Sequence, residues 1–123
     1  MTRSLRSAKS AGTWMETQTA NYLSAALGDD RIERRTKNGN KDRGDIAGVK
    51  TRDGVRVVIE VKNTTKLNLG GWMNEVDKEC ENDGALIGLV VHKRTGKGEK
   101  NMGEQYVTMT LSDLALLLGG RRI

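Results

Sequence analysis

A chain of 123 residues with a single cysteine, Cys80, is long enough for one modest core, too short for two, and unable to close an internal disulfide. Apolar residues make up 36% and aromatics 3%, with no Phe, so the core must come from Val, Leu, Ile, Ala and Met, and no apolar run approaches the roughly 20 residues of a membrane span. The net charge of +5 favours a polyanionic partner, and residues 1–9 are basic without the apolar stretch of a secretory signal, so an intracellular, cytoplasmic protein is expected.

Residues 1–10 read as a flexible basic arm. A helix is predicted over residues 13–27, where Thr13 and Glu16 form a capping-box pattern and Gly28 supplies a stop. Trp14, Met15, Tyr22, Leu23, Ala26 and Leu27 furnish its apolar stripe. At about 100° per residue, Glu16 falls within about 20° of Leu23 and Leu27, an odd position for an acid. Glu16 either completes the capping box or belongs to an acidic site. Residues 31–36 form a short predicted strand, followed by a turn at 37–40.

The next stretch, 44–63, is the one that carries chemistry. Asp53-Gly54 between alternating apolar runs predicts a hairpin. A two-residue loop would set Arg52 opposite Val55, Asp45 opposite Lys62 and Ala47 opposite Glu60. Period-two alternation then turns Glu60 and Lys62 to one face and Val57, Ile59 and Val61 to the core, so that Asp45, Glu60 and Lys62 cluster. A bulge or a different loop length would break that parity. The competing reading is an amphipathic hairpin with a solvated outer face.

Beyond Lys62, a polar loop leads to a helix predicted over 71–82, with Trp72, Met73, Val76 and Cys80 on one face and Glu75, Asp77, Glu79 and Glu81 mostly outward. Trp72 is read as core or interface and Cys80 as an inert buried thiol. Residues 85–92 are an uninterrupted apolar strand covered on both faces, ending at His92, which lacks companions for a zinc site. A basic loop, 93–103, precedes a strand at 105–110, and Ser112 and Asp113 cap a terminal helix over 114–118. The order α-β-β-β-α-β-β-α gives an α/β (α+β) domain with a mixed central sheet flanked by helices. Arg34, Arg35, Lys37, Lys41 and Arg43 crowd the approach to Asp45, and Lys93 and Arg94 open the later loop. Such runs are either solvated faces or a phosphate-binding groove.

An acidic residue after Gly44, then Glu60-x-Lys62 closing an apolar strand, resembles the PD-(D/E)xK nuclease motif with glycine in place of proline. Over roughly residues 8–95 the length, element order and acidic series are similar to those of archaeal-type and phage Holliday junction resolvases, with Glu16, Asp45, Glu60 and Lys62 at the four active positions. The resemblance implies a restriction-endonuclease-like fold and Mg²⁺- or Mn²⁺-dependent cleavage of four-way DNA junctions by a homodimer. It also implies metal ligation by Asp45, Glu60 and the Val61 carbonyl, and DNA contacts by Arg34, Arg35, Lys37, Lys41, Arg43, Asn63, Lys66, Lys93 and Arg94. Trp72 and the leucines of the terminal helix are candidate dimer contacts. The alternatives are another PD-(D/E)xK nuclease acting on duplex and a non-catalytic DNA-binding protein.

Overall fold

A computed structural model describes residues 4–36 and 39–123. The first helix, α1 (Leu5–Leu27), begins at Ser4, whose hydroxyl accepts the Ser7 N–H at 3.1 Å. Residues 5–10 are therefore helical rather than a flexible arm, and Thr13 lies inside the helix instead of capping it. The physical reason is that Ser4 supplies a strong cap and only Gly12 weakens the propensity before Thr13. Gly28 ends the helix in the left-handed conformation, as expected.

Strands β1 (Glu33–Arg34) and β2 (Ile46–Ala47) pair antiparallel. Strand β3 (Val57–Lys62) crosses through helix α2 (Leu69–Asp83) to the parallel strand β4 (Ile87–His92). A 3-10 segment, Glu99–Glu104, occupies much of the basic loop before β5 (Tyr106–Thr108), which pairs antiparallel with β4. Helix α3 (Leu111–Leu117) follows, capped by Thr110 rather than Ser112 or Asp113. Asp113 is instead buried, accepting the Gly88 N–H at 2.8 Å and an Arg122 ion pair at 2.6 Å. The element order is the predicted one, with a small mixed sheet β3-β4-β5 beside the β1-β2 ribbon.

The core has two sides. Met15, Ala20, Ile32, Ile46, Val57, Ile59, Val61, Ile87 and Val91 pack together on the α1 side of the sheet. Trp72, Val76 and Val90 fill the α2 side, so Trp72 is a core residue and not a surface available to a second copy. Gly88 permits this close approach: a Cβ there would sit 2.6 Å from Cys80 Sγ and collide with Val76. Burial pushes the Cys80 thiol up to about 11, which makes it an unreactive group.

The hairpin forms with a different register. Lys50 bridges Arg56, Thr51 N–H donates to the Val55 carbonyl and Val57 N–H to the Val49 carbonyl, at 2.8 and 3.0 Å. The loop is thus 51–55, longer than two residues, and Arg52 does not face Val55 in a ladder. Continued without interruption, this register sets Asp45 opposite Val61 instead of Lys62. Two glycines make the correction. Gly48 has φ +86° and its absent Cβ would meet the Arg31 carbonyl at 2.6 Å, which lets β2 swing onto β1. Gly44, at φ +93°, lies with its Cβ position 3.0 Å from the Ile59 carbonyl. Proline, held near φ −65°, cannot take that conformation, which accounts for the glycine at this motif position.

Candidate functional site

Asp45 is fixed from three directions. Its N–H donates to the Ile59 carbonyl at 2.8 Å, its carbonyl accepts the Arg35 N–H at 2.7 Å, and its Oδ2 accepts the Val61 N–H at 2.8 Å. Asp45 is 5% exposed and lies beside Glu60, whose pKa it helps to raise. Asp45 and Glu60 therefore meet, although through the glycine-displaced backbone and not through the ladder pairing that the sequence suggested.

The face carrying Glu60 and Lys62 is not solvated. Helix α2 covers it, leaving Glu60 4% exposed. Helix α2 also brings acids of its own. Glu79, expected to point outward, is 1% exposed, and Asp42 reaches in from the loop before β2. One carboxylate oxygen from each of Asp42, Glu60, Glu75 and Glu79 lies within 4.8 Å of the others, a cluster that could hold a metal ion. Glu60 Oε2 and both oxygens of Glu79 are buried without a hydrogen-bond donor. Burial first, then the closeness of the Asp45 and Glu79 carboxyls and the negative charges of both, drive the Glu60 pKa far above the carboxylate range. Glu79 is pushed up to about 7 by burial and by the charges of Asp42 and Glu75, against the opposing effect of its contact with Glu60.

Lys62 stands at the rim, bonded to both Glu75 oxygens at 3.0 and 3.3 Å. Burial alone would depress its pKa, but the Glu75 bond and the charges of Glu60, Glu75 and Asp45 prevail and raise it. Glu16 lies outside the converging acidic set and pairs with Arg34 Nε at 2.8 Å. Val61 is buried in register with Val91.

The expected DNA-contacting residues divide by what already holds them. Arg34 is engaged by Glu16 and Arg35 by Asp83 at 3.9 Å, with Arg35 Nε buried and without an acceptor. Lys41 and Arg43 are exposed and line an open cleft of about 580 Å³ with Arg35, Thr36 and Gly44. Asp42 belongs to both the cleft wall and the acidic cluster, so the basic surface opens directly onto the carboxylates. Lys37 lies outside the described residues. Lys66 is exposed, Asn63 binds the Ala11 carbonyl at 3.1 Å, and Lys93 Nζ turns back to the Arg94 carbonyl. Arg94 stacks over Tyr106, 5.1 Å from the ring centroid. His92 is held by Thr108 at 2.8 Å between Trp72 and Tyr106, and burial lowers its pKa.

Sequence reasoning missed Asp42, Glu75 and Glu79. A signal was present for two of them: Trp72, Glu75, Val76, Glu79 and Cys80 share one helical stripe at spacings of three and four, which buries Glu79 and leaves Glu75 exposed at its edge. No helix is long and apolar enough to cross a membrane among the described residues. No protein-family model, curated protein or solved structure matches the chain.

Proposed function

We propose that this chain is a divalent-metal-dependent endodeoxyribonuclease that resolves four-way junctions, of the PD-(D/E)xK kind. The observation that carries the reading is the convergence of Asp45, Glu60 and Lys62 beside buried carboxylate oxygens that lack any donor. Those orphaned oxygens fit a hard cation, which takes oxygen ligands and repays the cost of burying negative charge. Mg²⁺ or Mn²⁺ at Asp45 and Glu60, with the Val61 carbonyl, would polarise a phosphoryl oxygen and lower the pKa of a bound water. Glu60 would supply a ligand oxygen, and Asp45 is held against β3 by the Val61 N–H. Lys62, kept protonated by its acidic neighbours, steadies charge that develops on the phosphate and is itself oriented by Glu75.

The cleft cations Lys41 and Arg43 take backbone phosphates without reading bases. Paired cuts in two strands call for two sites, and with one acidic centre among the described residues a homodimer would supply them. With Trp72 in the core, the exposed Leu111, Leu117 and Leu118 of the C-terminal region are the remaining candidate contacts. Incubation with four-way junction, linear duplex and single strand, each in Mg²⁺ and in chelator, tests the reading. Symmetric metal-dependent cuts confined to the junction support it. Duplex cutting makes the chain a nuclease of restriction or repair type, and binding with no cutting makes it a non-catalytic DNA-binding protein.

A further inference from the structure

We infer a second divalent-cation position on the α2 side of Glu60, held by the carboxylates of Asp42, Glu60 and Glu79. Its purpose, pairing with the Asp45-side position across one phosphate, rests on the nuclease reading, whereas its existence does not.

The three acids come from three different elements, the loop before β2, β3 and α2, and one oxygen of each lies within 4.8 Å of the others. Glu79 is 1% exposed, and neither of its oxygens meets a donor. Glu60 Oε2 is also without one. A buried acceptor with no donor is costly, and more so when charged. Oxygen-loving cations such as Mg²⁺ and Mn²⁺ supply what those atoms lack, with waters completing the shell.

The neighbouring acids have other commitments. Both Glu75 oxygens are taken by Lys62, so Glu75 anchors that ammonium. Asp45 Oδ2 accepts the Val61 N–H, and Asp45 stands outside the converging set. Asp42 is suited to complete the new one. Its Oδ1 accepts the Gly44 N–H at 2.9 Å, and its carbonyl accepts the Asn82 amide of α2 at 2.8 Å, so the helix that carries Glu79 also holds the Asp42 loop in place. Asp42 is exposed at the wall of the basic cleft, which gives a cation its way in.

Mn²⁺ titrations of the full chain without DNA, followed by electron paramagnetic resonance and calorimetry, test the assignment. Glu79→Gln and Asp42→Asn should each lose one Mn²⁺ equivalent or weaken it at least about tenfold, while Asp45→Asn keeps that equivalent. Asp42 is exposed, so its variant probes the position without touching the core, and circular dichroism verifies the fold of all three. Wild-type stoichiometry and affinity in either Glu79→Gln or Asp42→Asn overturns the assignment. So does loss of the same equivalent in Asp45→Asn, or a wild-type protein that binds no Mn²⁺ at millimolar concentration. A protein that binds Mn²⁺ in the expected pattern and cuts no DNA keeps this site and removes the nuclease reading. Metal-dependent cutting with unaltered Mn²⁺ binding in the Glu79 and Asp42 variants does the reverse.

Discussion

Replacing Glu79 with Gln in the metal-free protein should change how stability depends on pH, and the size of the change follows from the site. The Glu79 pKa rises from 4.5 to about 7 on folding, chiefly through burial. Between those values the unfolded chain has released the proton that the folded chain still holds, so the unfolded state binds fewer protons and stability falls as pH rises. The contribution is complete below pH 4.5 and gone above about 7. At roughly 1.4 kcal/mol per unit, the loss comes to about 3–4 kcal/mol. Gln cannot titrate, so the variant lacks this slope. His92, whose lowered pKa removes stability as pH falls, is common to both proteins and cancels in the difference. Urea unfolding in chelator at half-unit steps from pH 4.5 to 8 measures it. The variant should gain on the wild type steadily up to about pH 7 and then hold level. Mn²⁺ at about 100 times its dissociation constant should return about 2.7 kcal/mol to the wild type at pH 8 and less to the variant. A stability difference that stays flat across the range would refute the claim that Glu79 is a buried, strained carboxylate.

Neutralising Lys41 and Arg43 together should weaken binding to junction and duplex alike and lower the slope of log K against log salt by about two, as fluorescence anisotropy can read, with sequence preference unchanged. Glu75→Gln should move the alkaline limb of the cleavage profile to lower pH, because it removes the main support for the raised Lys62 pKa. A pH–rate series in Mg²⁺ checks this against the wild type. Gly88→Ala should cost about 1–3 kcal/mol by chemical denaturation, since the added methyl has Val76 and Cys80 in its place.

Much of the architecture was legible because it rests on local chemistry. The apolar run ending at His92, the α2 stripe and the Gly28 stop each specify an element, and together they set the chain order. The hairpin was legible in kind and not in register, since register here depends on glycines whose role appears only when another backbone comes close. Gly48 is needed by the Arg31 carbonyl and Gly44 by that of Ile59, both contacts between segments far apart in sequence. Spacing singled out Asp45, Glu60 and Lys62 as candidates, but through a hairpin register that the chain does not adopt. Glu79 was not singled out, because acids are read as outward-facing by default, and only the pairing of α2 with β3 buries this one. Glu16 shows the opposite case: its odd place on the α1 stripe was visible, but its Arg34 partner lies on a strand that sequence alone could not dock.

If Asp45 acts at the reaction centre of a nuclease, Asp45→Asn on a four-way junction in saturating Mg²⁺ separates binding from cutting when both are followed in the same reactions. The variant should bind the junction at least as well as the wild type, having lost a charge that repels phosphate, while symmetric cleavage disappears. A variant that cuts junctions at the parental rate would remove Asp45 from the chemistry and with it the nuclease reading.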